Sequence, residues 1–202
     1  MFDGMNPWVA VWTRPRQVVR AVVRADPTFG FWSLSFLFGL SVLFYLANFY
    51  SWGLSFSFVE VLWPILIGAP FFGALYFLFK SWILQFIGRL LGGKAPYSHV
   101  RAAFTWSRSP YALALLLWIA LFSSESGGVF VHYDTDTSAV FINLIIAILV
   151  IWSAILLIQT NAEIQSFSLF RSLLNVFLSW LLSSFIIVIL MFVTRYIVTR
   201  LI

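Results

Sequence analysis

The acidic segment 123–137 carries the densest set of groups that could bind a metal ion. His132, Asp134 and Asp136 offer three nitrogen or oxygen ligands within five residues. Divalent cations usually need more oxygen ligands than this, or a preformed geometry. The segment therefore favours a solvated acidic loop, and we predict no metal site.

The residue types needed for catalysis do not occur together in this sequence. His99 has no nearby carboxylate to complete a triad of the kind that activates a nucleophile, no serine lies in a Gly-x-Ser-x-Gly turn, and cysteine is absent. Gly92-Gly93-Lys94 is more typical of a turn that ends a helix than of a nucleotide-binding loop. We predict no catalytic residues and no cofactor, and hence no enzyme.

Polar side chains beside the apolar runs suggest a second kind of chemistry, the passage of an ion or a polar molecule. A lysine buried in a bilayer would mark a transport site, but Lys80 is better explained by its ammonium reaching the inner interface. Glu60 and Glu163 are also best placed at interfaces, and we hypothesise that Glu163 pairs with Arg101 or Arg108. A transporter would require six residues to line a shared cavity: Lys80, Gln85, Asn143, Gln159, Asn161 and Glu163.

The elements that position these residues are membrane helices. Of the 202 residues, 62% are hydrophobic and only 9% charged, whereas soluble domains have about 25% charged residues. Uncharged apolar runs at 27–59, 61–79, 137–162 and 172–194 reach or approach the roughly 20 residues that a span needs, and 109–124 is shorter. The runs do not alternate as barrel strands do. The fold class is therefore all-α, a polytopic membrane protein.

The second apolar run is unusually long. It continues from Val61 past Lys80 to Leu91, about 45 Å as one straight helix, well beyond a ~30 Å hydrocarbon core. Pro64 and Pro70 could bend it, and we expect residues 81–91 to form an interfacial or tilted end.

The N-terminal segment, residues 1–27, predicts an amphipathic helix. Arg16, Arg20 and Arg24 recur every four residues on one face, and valines occupy the other. This pattern favours a helix lying on the cytoplasmic leaflet, with the valines toward lipid. It serves as an anchor or, alternatively, as a lipid sensor or docking site. The remaining residues, 28–202, form the transmembrane domain.

The interval Gly88–Pro110 is the longest polar and basic stretch between apolar runs. It contains Arg89, Lys94, Arg101 and Arg108 and no acid. Basic loops stay on the cytoplasmic side, so this interval sets the orientation. With the arginines of the N-terminal segment, these four residues form the predicted contact surface. Topology explains the net charge of +5, so we predict no nucleic-acid partner. Charge does not decide between four and five spans.

Several motifs give the chain a resemblance to a known family. They are Asn6-Pro7-Trp8, Val11-Trp12-Thr13-Arg14-Pro15-Arg16, Val22-Val23, Asp26-Pro27, Gly88-Arg89-Leu90-Leu91-Gly92-Gly93 and Ala103-Phe104-Thr105-Trp106-Ser107 followed by Pro110. In combination they resemble the bacterial branch of the Yip domain family. The resemblance implies five transmembrane helices and a cytoplasmic N-terminus in a bacterial inner membrane. Eukaryotic members look like partners of Rab GTPases, but the Asp-Leu-Tyr-Gly-Pro motif associated with them is absent from these residues.

Together these patterns predict a non-enzymatic scaffold or modulator of membrane components. Its expected partners are a bilayer with anionic headgroups and another membrane protein or a second copy. The alternative is a small transporter or lipid-translocating protein.

Overall fold

A computed structural model describes residues 4–124, 130–131 and 137–201, and within these ranges it contains helices and no strand. A 3-10 turn at Trp52–Leu54 joins the third and fourth helices. The helices are α1 (Pro7–Ala10), α2 (Pro15–Ala25), α3 (Phe31–Phe49), α4 (Phe58–Leu90), α5 (Tyr97–Ser107), α6 (Pro110–Ser124), α7 (Thr137–Gln165) and α8 (Leu169–Leu201).

Four helices in the described part of the chain are long and apolar enough to cross a membrane. The candidate spans are Phe31–Phe49, Phe58–Leu90, Asn143–Gln165 and Leu169–Ile197. At 15 residues, α6 is about 22 Å long, shorter than a ~30 Å hydrocarbon core. The structure therefore supports a multi-pass helical membrane protein with four candidate spans, where the family resemblance implied five.

The bundle has two distinct ends. At one end, which we call the far end, the backbone N–H of Gly53 donates to the carbonyl of Phe130 at 2.9 Å, and the rings of Phe58 and Phe130 stack. At the opposite end, which we call the N-terminal end, the last residue of α7, Gln165, lies against Gly88 near the end of α4. The segment containing α1 and α2 also docks at this second end.

Close backbone contact joins α3 and α4. A Cβ added to Gly73 would lie 1.8 Å from the carbonyl oxygen of Ser35, and one added to Gly39 would lie 2.1 Å from that of Ala69. Small residues of this kind let membrane helices approach closely. Ser57 and Glu60 form a capping box that fixes the start of α4. The second apolar run is a single α4 of 33 residues, with Pro64 and Pro70 inside it.

The basic interval 88–110 contains a buried helix, which corrects the prediction of a loop. The consecutive residues 102–107 of α5 are all buried, and Trp106 and Phe104 belong to the main hydrophobic cluster. Arginines flank this apolar stretch at 101 and 108, and their charge made the interval look solvated. The local sequence Ala102-Ala103-Phe104 is in fact suited to packing inside the bundle.

The valine face of α2 is occupied by protein, which corrects the prediction that it rests on lipid. Val18, Val19 and Val22 are fully buried. Helix α2 packs against α5 and α7. The 3.6-residue period identifies the apolar face of a helix, but it does not identify what covers that face.

Candidate functional site

Trp106 on α5 is the residue on which the N-terminal segment docks. Its side chain is fully buried, and its indole N–H donates to the carbonyl oxygen of Phe29 at 3.2 Å. The Phe29 ring stacks on it at 5.9 Å, and the Trp8 ring meets it edge-on at 5.3 Å. Gly30 adopts φ of +80°, and a Cβ there would lie 2.9 Å from the Trp106 ring. The close fit explains why a glycine precedes α3.

Local bonds shape the Asn6-Pro7-Trp8 motif. The Asn6 side chain accepts from the backbone N–H of Trp8 at 3.1 Å, and Pro7 occupies the first turn of α1. The indole N–H of Trp12 donates to the carbonyl of Trp8, also at 3.1 Å. These bonds hold Trp8 in the orientation that contacts Trp106.

Asp26 makes the corner between α2 and α3. Its carboxylate accepts from the hydroxyl of Thr28 at 2.7 Å and from the backbone N–H of Thr28 at 2.8 Å. These two bonds lower the pKa of Asp26 below its usual value, because both favour the ionised form. Here the chain leaves α2 and continues into α3.

Arg20 forms an ion pair with Glu163, at 2.6 Å between Nη2 and Oε1. The predicted partners of Glu163 were Arg101 and Arg108, and that hypothesis is wrong. The docking of α2 on α7 brings Arg20 to the last turns of α7. Because 52% of the Arg20 side chain is exposed, the pair positions α2 more than it stabilises the fold.

Arg101 and Arg108 are half-buried within the bundle. The guanidinium of Arg101 lies over the Phe31 ring at 5.1 Å, and that of Arg108 lies over the Phe104 ring at 4.5 Å. Arg108 also donates to the hydroxyl of Ser153 at 2.8 Å. Arg101 and Arg108 thus bind internal partners, as Arg20 does, although all three belong to the seven residues predicted to form a contact surface.

The other predicted contact residues lie at the surface of the N-terminal end. Arg16, Arg24, Arg89 and Lys94 are exposed. A cavity of 580 Å³ is lined by Arg14, Gln17, Arg20 and Arg24 among others, and a neighbouring groove of 500 Å³ contains Arg16 and Gln159 beside Leu169, Phe170 and Leu173.

A group of buried polar side chains, which we call the polar junction, joins α4, α7 and α8. The Asn161 amide donates to the Ser172 hydroxyl at 2.9 Å, and Ser172 donates to the carbonyl of Ile158 at 2.7 Å. The ammonium of Lys80 donates to the hydroxyl of Ser183, a buried side chain of α8, which corrects the prediction that it reaches the inner interface. The polar residues that α8 contributes are buried and share one helical face: Ser172, Asn175, Ser179 and Ser183.

The side chain of Gln165 packs tightly against two glycines at the N-terminal end of the bundle. A Cβ at Gly88 would lie 2.4 Å from its Nε2, and a Cβ at Gly93 would lie 2.3 Å from its Oε1. The Gln85 amide faces Ala95 and Tyr97 in the turn between α4 and α5. The Leu-Gly-Gly motif therefore ends α4 and makes room for a side chain of α7.

The six polar residues proposed for a shared cavity do not line one cavity in the structure. Lys80, Gln85 and Asn161 are at or near the polar junction, and Glu163 is in the ion pair with Arg20. Gln159 borders the groove of Arg16. Asn143 lines a different cavity, of 540 Å³, between α3, α6 and α7.

Sequence reasoning did not identify Trp106 as the docking residue for the N-terminal segment. It also did not identify α8 as a source of polar contacts between helices. The signal in α8 is visible in retrospect, because polar residues at 172, 175, 179 and 183 follow a helical period inside an apolar run. Trp106 gave no such signal, since the sequence does not distinguish a buried tryptophan from one at the membrane interface.

Among the described residues, no group of three His, Asp or Glu side chains could hold a metal ion. His132, Asp134 and Asp136, for which we predicted no metal site, lie outside the described residues, as does Glu125.

The fold and the buried polar bonds between its helices define a multi-pass helical membrane protein. The Yip1 domain matches residues 9–191, so the chain belongs to the Yip domain family. The match includes Trp12, Gly30 and Trp106, which the structure brings to one end of the bundle. No curated protein and no solved structure matches the chain.

Proposed function

We propose that this protein is a non-enzymatic scaffold or modulator of membrane components. Its N-terminal end would face the cytoplasm of a bacterium from the inner membrane. There it would contact anionic headgroups and another membrane protein or a second copy of itself. The proposal assigns contact with the protein partner to the exposed arginines of α2, and contact with headgroups to Arg89 and Lys94.

One observation carries this proposal: α2 is held rigidly while its arginines remain available. Its valines are buried against α5 and α7, Arg20 is tied to Glu163, and Trp106 anchors the chain on both sides of α2. Arg16 and Arg24 project from this fixed helix into solvent. A preformed array of cations gains affinity because little conformational freedom is lost on binding.

We further propose five crossings, with α6 as the third. Residues 130–131 contact Gly53 and Asn48 at the far end, whereas α5 packs against α2 at the N-terminal end. The chain must pass from one end to the other between them, and α6 packs between α3 and α7 along this path. Its short length is compensated because α5 already brings the chain into the bundle.

The test is to isolate the protein in native membrane discs and identify by mass spectrometry everything retained. The proposal predicts a stoichiometric protein partner, whose retention falls in Arg16→Gln and in Arg24→Gln, or enrichment of anionic lipid. Arg195→Gln, which removes the same charge from an exposed position near the other end of α8, is the matched control. Retention of neither a partner nor anionic lipid by the unaltered protein would refute the proposal.

The cavity between α3, α6 and α7 favours a second candidate, a small transporter or lipid-translocating protein. Its 540 Å³ lies within the size range of ligand sites, and Asn143 and Tyr111 supply polar groups. Asn143→Ala, at a residue that lines this cavity, separates the two functions. A transporter should lose flux with assembly intact, whereas a scaffold should keep its partner.

A further inference from the structure

A cavity of 370 Å³ lies at the N-terminal end between the α4–α5 turn and the α7–α8 turn, and we call it the turn pocket. Its lining includes Lys94 and His99 from the first turn and its following helix, and Arg171 from α8. The lining residues, all in the described part of the chain, include no carboxylate. The pocket therefore concentrates cationic and nitrogen donors from two distant parts of the sequence.

Both turns that form the pocket are fixed by backbone bonds. Gly92 adopts φ of +87°, and the N–H of Gly93 donates to the carbonyl of Gly88 at 2.8 Å. Ser166 adopts φ of +55°, and the N–H of Phe167 donates to the carbonyl of Ala162 at 2.9 Å. Gln165 lies between the two turns, with its Oε1 accepting from the N–H of Ala95 at 3.4 Å. The pocket is thus a built cavity rather than a gap between mobile loops.

The arrangement of charge suits a phosphate group. The guanidinium of Arg171 is held over the Phe167 ring at 5.6 Å, which limits the rotamers it can adopt. Arginine and lysine are the side chains that most often bind phosphate, the first as a planar fork and the second as a point charge. Arg171 also lies in the first turn of α8, at the positive end of its backbone dipole.

The surroundings identify the source of the phosphate. Leu90, just before the α4–α5 turn, is 69% exposed, and Phe170, just after the α7–α8 turn, is 76% exposed. Large apolar side chains exposed beside a basic pocket match the headgroup boundary of a bilayer, where acyl chains cover them. A lipid whose acyl chains cover these side chains would place its headgroup at the pocket.

We infer that the turn pocket binds the phosphate of an anionic phospholipid through Lys94, His99 and Arg171. This inference rests on the proposed function and makes it specific, because it assigns headgroup binding to a pocket that includes His99 and Arg171 rather than to the arginines of α2.

The test measures lipid retention by native mass spectrometry. The full chain in detergent is titrated with phosphatidylglycerol and, separately, with phosphatidylcholine. The pocket variant is Lys94→Gln/His99→Gln/Arg171→Gln, and the control is Arg14→Gln/Arg16→Gln/Arg24→Gln, which removes more formal charge from the same end. We expect phosphatidylglycerol affinity to fall about fivefold for each of the two cationic side chains, Lys94 and Arg171, lost from the pocket and to change little in the control.

Equal losses in the two variants would overturn the pocket and leave the basic surface of α2 as the headgroup site. Equal affinity of the unaltered protein for the two lipids would overturn headgroup recognition altogether. If inorganic phosphate alone displaces phosphatidylglycerol at comparable concentration, the site binds a free anion and the lipid assignment fails. Should the triple variant not fold, the single change Lys94→Gln at an exposed side chain should still lower affinity about fivefold.

Discussion

The α3–α4 pair and the N-terminal end hold helices together in different ways. In the pair, two consecutive helices meet through glycines that touch the carbonyls of Ser35 and Ala69. At the N-terminal end, α1, α2, α4, α5, α7 and α8 meet through an indole, an ion pair and the polar junction. Lipid provides no hydrophobic driving force for helix association, so membrane helices associate through close packing and polar contacts. In this protein, close packing joins helices that are consecutive in sequence, and polar contacts join segments that are distant in sequence.

The largest expected effect comes from Trp106→Ala. Removing a fully buried indole should cost about 4 kcal/mol of stability and release the N-terminal segment, because Trp8 and Phe29 lose their shared partner. Limited proteolysis in detergent should then cleave near residues 10–28. Trp63→Ala, at an exposed tryptophan of α4, is the control and should leave the cleavage pattern unchanged. Protection of the segment in Trp106→Ala would show that the valines of α2 suffice to hold it.

Gly73→Ala tests the close packing of the α3–α4 pair. The added methyl would collide with the backbone at Ser35, which cannot rotate away, so we expect a loss of about 3 kcal/mol. The measurement is the free energy of unfolding in bicelles. Gly68→Ala on the same helix is the matched control, since a Cβ there meets nothing closer than 4.0 Å. That change should be neutral or stabilise by about 0.5 kcal/mol. Similar losses at both positions would mean that the pair is not packed as closely as described.

Asn161→Ala measures one contact of the polar junction. It removes the donor to Ser172 and the acceptor for Asn175, and we expect a cost of about 1 kcal/mol because hydrogen bonds between membrane helices are individually weak. A double-mutant cycle with Ser172→Ala isolates the pairwise energy. Asn143→Ala, at an exposed asparagine on the same helix, provides the reference. An interaction energy of zero in the cycle would remove this pair from the account of how α7 and α8 associate.

The smallest effect is expected at the ion pair of Arg20 and Glu163. Because the arginine is half-exposed, the neutral change Glu163→Gln should cost only about 0.5 kcal/mol. The charge reversal Glu163→Arg should cost more, because it places two arginines together. Combining it with Arg20→Glu should restore stability and the protease protection of α2, whereas combining it with Arg24→Glu should not. Rescue by the second combination would place the partner of Glu163 elsewhere on α2.

The sequence predicted the membrane helices, because long uncharged runs have one physical explanation. It predicted the great length of α4 and the end of that helix at Gly92-Gly93. It failed at α5 because Arg101 and Arg108 read as solvated charges, whereas their guanidinium groups rest on the rings of Phe31 and Phe104. It also failed to pair Glu163 with Arg20, since residues 143 positions apart meet only after two helices have docked.

That separation has a consequence for the order of assembly. Helices α1 and α2 are synthesised before the residues that hold them, Trp106 and Glu163, which leave the ribosome only after α3 and α4 have been made. The N-terminal segment must therefore wait undocked while the first helical hairpin inserts. Its docking is therefore a late step, which follows the placement of the helices that receive it.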